Sequence, residues 1–174
     1  SGSDASRKQT LSGAVLKATN YYSDFTLLEL SENPPEAYAP YFAGWNASND
    51  FVPSQGTCIH HPEGNVKCIA VDNNAPVSYP YYLQWDNKSK SGPNTHWQVT
   101  YDVGQDESGS SGSPLFDQNK RVIGQLHGGD ENYSFFGKFS LSWDYSSAAS
   151  AQLKNWLDPD NSNTLQLDGN DFNS

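Results

Sequence analysis

The chain reads as an all-β domain, and three features predict it. Short apolar or aromatic runs recur at residues 24–30, 41–45, 57–60, 66–71, 79–85, 96–101, 115–116, 122–126 and 135–143, with Gly, Pro, Asn and Ser clusters between them. Tyr, Phe and Trp make up 13% of the residues, and these side chains suit a pleated, half-buried surface. Only one segment, 147–157, carries a helical period: Ala149, Leu153, Trp156 and Leu157 form one apolar stripe, Ser146 or Ser147 can cap it, and Pro159 stops it.

At 174 residues the chain has the length of one domain with a sizeable core. Residues 1–12 are polar, and alternation begins at Ala14-Val15-Leu16-Lys17-Ala18. Residues 24–30 read as a buried strand that Asn33-Pro34-Pro35 breaks. After Pro159 the chain turns polar and acidic. Asp158, Asp160 and Ser162 have a faint calcium-loop spacing, but the glycine and closing glutamate are missing, so 158–174 reads as a tail.

The formal charge of −10 and pI of about 4.5 argue against nucleic acid or an anionic membrane as partner, since both select clustered Lys and Arg, and the longest basic cluster is Arg7-Lys8. No apolar run has the length of a membrane span. Methionine is absent, and the expectation is of a processed or excised portion of a longer chain. Asn46, Asn87 and Asn132 each begin an Asn-X-Ser triplet and read as polar surface loops. Cys58 and Cys68 flank the turn-like 62–65 segment. A disulfide across a hairpin is expected, which would fit an extracytoplasmic site, with two buried free thiols as the competing reading. Cys58 with His60 and His61 offers metal-ligand types, but no metal or other cofactor is expected.

The chemistry concentrates at Gly109-Ser110-Ser111-Gly112-Ser113-Pro114, just before an apolar strand. Gly109 permits a bend that aims its own N–H and that of Ser111 at one point. Two convergent amides are what an oxyanion hole needs during acyl transfer, and Ser111 is then the candidate nucleophile.

Together with Asp24-Phe25-Thr26-Leu27-Leu28-Glu29-Leu30 upstream and Gly124-Gln125-Leu126-His127-Gly128-Gly129 downstream, this turn resembles bacterial trypsin-like serine endopeptidases, closest to the lysyl endopeptidase group. The resemblance runs from about Gly13 to about Leu157 and includes Ala43-Gly44-Trp45 and Ile59-His60-His61-Pro62. It implies a chymotrypsin-like Greek-key β-barrel, the second of two, with a C-terminal helix. It also implies Asp24 as the carboxylate orienting the general base, Ser111 as nucleophile, and Gly109 with Ser111 as oxyanion donors. His127, Gly128 and Gly129 would line the substrate pocket, with Glu107 and Asp130 beside it. The implied division is 1–20 as the tail of, or linker from, a preceding first barrel, 21–157 as the second barrel with its C-terminal helix, and 158–174 as the acidic tail.

Two departures matter. The family runs His, Asp, Ser along the chain, yet His60, His61, His96 and His127 all follow Asp24. The base is therefore expected on a preceding segment, as a first-barrel partner, and His127 is expected to be a pocket wall. His60 and His61 read as structural. The residue before the nucleophile is Ser110, as in the lysyl group; many trypsin relatives have an Asp there that pairs with a freed N-terminus, so activation by that ion pair is not expected. In lysyl endopeptidases an aspartate after His-Gly-Gly reads the substrate lysine. Here Ser134 aligns there, while Asp106, Glu107, Asp130 and Glu131 remain nearby. A basic P1 residue is favoured without strict lysine preference. The expected function is a secreted serine endopeptidase acting on proteins or peptides, and the alternative is a non-catalytic, protease-like module that binds a peptide or partner.

Overall fold

The structure is a computed structural model that describes residues 8–172; residues 1–7 of the leading segment and 173–174 lie outside them. It is mostly β, as the spacing of apolar runs predicts. An amino-terminal hairpin pairs β1 (Ala14–Asn20) with β2 (Phe25–Leu30) as a separate two-stranded sheet. Next come β3 (Tyr41–Phe42), β4 (Gly44–Asn46), β5 (Gly56–His60), β6 (Cys68–Asp72), β7 (Val77–Ser78), β8 (Leu83–Gln84), β9 (Lys90–Ser91), β10 (His96–Val99), β11 (Pro114–Phe116), β12 (Arg121–Gly129) and β13 (Ser134–Lys138). A curled antiparallel half-barrel runs in the order β6-β5-β11-β12-β13-β10-β7. Its interior is packed by Cys58, Ala70, Trp97, Val99, Leu115, Ile123, Leu126 and Phe136.

A second core lies outside that sheet. Ala18 and Phe25 of the hairpin pack with Ala47, Phe139, Trp143 and Leu153. Phe139 and Trp143 belong to α1 (Phe139–Asp144), in a stretch that the sequence suggests is strand through 143. The strand ends at Lys138, and the next six residues turn helical so that both aromatics face the hairpin. The expected helix over 147–157 is also corrected. It is a 3₁₀ turn at Ala149–Ala151, an extended Gln152 (φ −149°), and then one turn, α2 (Lys154–Leu157). The Leu153 amide donates to the Ser142 carbonyl 2.8 Å away, so docking onto α1 outweighs continuous helix. The polar C-terminal stretch folds back: β14 (Gln166–Leu167) pairs with β4 and β15 (Asn170–Asp171) with β3.

Two further corrections concern the hairpins. The strand expected to be buried over 24–30 buries Phe25 but exposes Leu28 and Leu30, because a two-stranded sheet covers only one of its faces. Cys58 and Cys68 are free thiols. The β5–β6 register sets Cys58 opposite Ala70 and Cys68 opposite His60. The cysteines are therefore diagonal neighbours, roughly 7–8 Å apart in such a pairing, beyond the Cα separation of a disulfide. Burial in the barrel pushes the Cys58 thiol up to about 12.

The hairpin tip is tied to the barrel at Ser23. Its carbonyl accepts from Gln125 Nε2 at 2.6 Å, and its hydroxyl lies 2.9 Å from Ser142 Oγ. A Cβ on Gly137 of β13 would overlap that same carbonyl oxygen. Gly137→Ala is expected to lower stability by about 1–3 kcal/mol or more, as an overpacked site does. A Gln125→Ala chain, which loses the bond without a clash, should lose less. Urea titrations of both variants compare them, and an unchanged midpoint for Gly137→Ala would contradict the close approach.

Candidate functional site

Ser111 sits exposed in a turn between two left-handed glycines, Gly109 (φ 88°) and Gly112 (φ 84°). Backbone bonds stitch the turn to itself and to β12: Ser110 N–H to Glu107 O (3.0 Å), Ser113 N–H to Ser110 O (3.1 Å), Gly112 N–H to Leu126 O (2.7 Å) and Leu126 N–H to Ser113 O (2.9 Å). The Gly109 and Ser111 amides donate to no acceptor among the described residues.

Asp24 closes the tight turn of the hairpin with φ 54°, the left-handed region that Asp tolerates better than most residues. Asp24 and Ser111 line one cavity of about 410 Å³, whose floor is Phe25, Leu27, Val122, Phe139, Leu153 and Leu157. None of the four histidines lines it.

His127 approaches Asp24 from the other side. The β12–β13 register shifts between Leu126 and Gly128, so His127 is the extra residue of a bulge, a feature that re-aims a side chain. Its ring stacks on Trp85 with centroids 3.5 Å apart, and its Nε2 lies 3.6 Å from Asp24 Oδ2. The hydrogen-bond network assigns its tautomer. Thr95 Oγ1 donates to Gly92 O, so it accepts from His96 Nδ1–H. His96 Nε2 is then an acceptor, 2.9 Å from His127 Nδ1, which must donate. Desolvation lowers the His127 pKa and Asp24 partly offsets it, so neutral His127 turns a bare Nε2 toward the carboxylate. Burial, with His127 and Lys138 adding to it, lowers His96 to about 3.

His127, Gly128, Gly129 and Asp130 line a second cavity of about 590 Å³ together with Trp85, Tyr79 and Phe135. A Cβ on Gly128 would already touch the Trp85 ring. Asp130 also lines a third cavity, of about 470 Å³, with Asp106, Glu131, Tyr101 and Ser134. One oxygen of Asp130 is occupied by the Asn132 and Tyr133 amides (2.8 and 3.0 Å). Glu107 is exposed, accepts from Gln105 Nε2, and lines none of these cavities. Its neighbour Asp106 does line the third, with Oδ1 accepting from Ser134 Oγ at 2.7 Å. The sequence signals Asp106 only as one of two adjacent acids. Among the described residues no cluster of three His, Cys, Asp or Glu side chains has metal-binding geometry.

The family model described as the lysyl endopeptidase C-terminal domain matches residues 1–138. The chain belongs to that family. It is a trypsin-like serine protease domain, corresponding to the C-terminal half. Among curated proteins it is 32% identical over 121 residues to a lysyl endopeptidase from Pseudomonas aeruginosa, covering 67% of this chain but 24% of that protein. The chain thus spans about a quarter of that relative's length. Similar solved structures include the active form of the Rv3671c protease from M. tuberculosis (19% identical, 72% of this chain and 53% of that chain, TM-score 0.49). Deg5 is another (18%, 70% and 54%, TM-score 0.45).

The neutral burial of His96 makes stability depend on pH. Its folded pKa, about 3, lies below the unfolded value near 6.5, so the unfolded state takes the proton first. This contribution is complete above about pH 6.5 and is lost as pH falls toward 3, at up to about 1.4 kcal/mol per pH unit. Denaturant midpoints of His96→Gln should be lower at pH 7 but fall less steeply on acidification than those of the unaltered chain. Parallel curves would overturn the assignment.

Proposed function

We propose that this domain supplies the nucleophile, the oxyanion-hole amides and the orienting carboxylate of a serine endopeptidase, with the general-base histidine carried by a preceding first-barrel segment. The observation that carries the reading is that the Gly109 and Ser111 amides are left without acceptors in the turn that exposes Ser111, while Ser111 and Asp24 border one cavity. An imidazole entering that cavity takes the Ser111 Oγ proton as the oxygen attacks the substrate carbonyl carbon. Asp24 orients the ring and stabilises its imidazolium form. The two amides receive the charge on the carbonyl oxygen. The imidazolium proton then passes to the leaving amine, and water hydrolyses the acyl-enzyme by the same steps. The exposed apolar side of β2 and the cavity floor would be the face that the first barrel covers.

Asp106 is the residue we assign to a basic P1 side chain. Its cavity is lined by three carboxylates and by no Lys or Arg, and Ser134 fixes the Asp106 carboxylate in place. A lysine or arginine entering it would exchange hydration for a charge-assisted hydrogen bond. A secreted setting rests on family membership alone, since the two thiols are free.

The second reading, a non-catalytic module that binds peptides or a partner, is favoured by one observation: no histidine lines the Ser111–Asp24 cavity. A fluorophosphonate probe separates the two. Ser111 should label in the longest natural form and not in the 174-residue chain alone. Ser111→Ala should abolish labelling and leave at most the residual ~10³–10⁴-fold catalysis of broken triads. Folded full-length protein that never labels would establish the binding module.

Specificity gives an independent check. Asp106→Asn, nearly isosteric, should lower kcat/KM for lysyl and arginyl P1 peptides by about 10²-fold or more, the loss expected when one partner of a desolvated charge pair is removed. Peptides with a neutral P1 should be little affected. Equal losses on both would remove Asp106 from the pocket.

A further inference from the structure

Ser110, the residue before Ser111, is 1% exposed, and its Oγ lies 2.9 Å from Nδ1 of His60, also 1% exposed. The other ring nitrogen, His60 Nε2, is buried with no hydrogen-bond partner among the described residues. Either hydrogen can make the Nδ1–Oγ bond, and either leaves Nε2 alone. An orphaned buried polar group keeps its desolvation penalty, which an apolar side chain of similar volume would avoid. Position 60 faces inward on β5, as Cys58 does, so the pleat alone would accept a hydrophobic residue there. The bond to Ser110 is what only the imidazole supplies.

That bond does not act alone. The chain leaving His60 makes a left-handed turn at Glu63 (φ 51°) and Gly64 (φ 70°), and the Glu63 amide donates to Ser108 O at 2.7 Å. The Glu107 amide reaches Ser110 Oγ at 3.4 Å from the other side. The backbone on both sides of Gly109 is therefore held from one segment, at Ser108 by Glu63 and at Ser110 by His60.

We propose that His60 is the positioning residue of the oxyanion loop: by binding Ser110 Oγ it fixes the Gly109 and Ser111 amides in a convergent geometry. A histidine–serine hydrogen bond here stands where many trypsin relatives place an ion pair between the residue before the nucleophile and a freed chain terminus. The loop is then set by folding alone, with no cleavage needed to create a charged partner. The proposal rests on the serine endopeptidase reading and deepens it by naming what holds its anion site.

The test uses the longest natural form with His60→Ala, His60→Asn and His60→Gln. Asn can place an amide group where Nδ1 stands, and Gln places its amide nearer Nε2. In His60→Ala, amide hydrogen exchange at 108–112 should quicken at least tenfold while the β12 and β13 amides keep their protection. kcat should fall about 10²-fold with KM little changed, the scale of losing an oxyanion donor. Affinity for a peptide aldehyde, which forms an oxyanion, should fall in step with kcat. His60→Asn should restore both readouts, and His60→Gln should not. If His60→Ala does not fold, Ser110→Ala removes the same bond from the other end and should reproduce the exchange and kcat effects. Unchanged exchange and kcat in a folded variant, or losses that Asn does not rescue, would overturn the proposal. Failure of the unaltered protein to react with a fluorophosphonate would instead overturn the endopeptidase reading, while the exchange measurements still decide whether His60 anchors the loop.

Discussion

The approach of the Ser23 carbonyl to β13 is the constraint on which the site depends. The hairpin that carries Asp24 shares no sheet with the half-barrel that carries Ser111, so no ladder fixes one against the other. What fixes them is a point contact. Gly137 has no side chain, Gln125 reaches out of the neighbouring strand, and Ser142 offers a hydroxyl from α1, all meeting the residue before Asp24. Around it the docking is broad: Tyr22 stacks on Tyr145 with centroids 4.2 Å apart, and Asn20 donates to Ala151 O. Apolar burial holds the two bodies together, and the polar contacts at Ser23 choose the arrangement in which Asp24 and Ser111 border one cavity.

The two hydrophobic cores divide the labour accordingly. The barrel core supports β11 and β12, whose ends hold the Ser111 turn. The core of Phe25, Phe139, Trp143 and Leu153 holds the hairpin. Between them the cavity that Asp24 and Ser111 border keeps an apolar floor, a setting in which charge is felt more strongly than in water. Thr95, His96 and His127 are paired in series nearby, and burial lowers the pKa of both imidazoles. Lys138 keeps its charge among them: desolvation lowers its ammonium to about 8, and it rests over the Trp97 ring while donating to Ser78 Oγ.

Sequence made the strand pattern legible because a half-buried pleat writes alternation and turn residues directly into the chain. It also marked Ser111 and Gly109, since a left-handed glycine beside a serine is a local signal. It could not mark α1. Phe139-Ser140-Leu141-Ser142-Trp143 alternates as a strand does, and only its contact with Phe25, more than a hundred residues away, makes it a helix. The cysteine pairing failed for a similar reason, because a shift of two residues in register turns a facing pair into a diagonal one. Asp106 and Glu107 are indistinguishable in one dimension; which one enters the cavity is decided by Ser134 across the loop. His60 read as structural because nothing local reveals which residue its ring faces.

The sequence separations within the hairpin docking carry a kinetic consequence. β1 and β2 pair locally and can form early, as a short hairpin does. Their contacts to the rest of the molecule close loops of 102, 119 and 131 residues, at Gln125, Ser142 and Ala151. Contacts of such range await the collapse of everything between them. Within this domain the hairpin is synthesised before the surface it docks on, so Asp24 joins the serine in one of the domain's closing steps. A newly made domain would therefore have a folded barrel before Asp24 and Ser111 came to border one cavity.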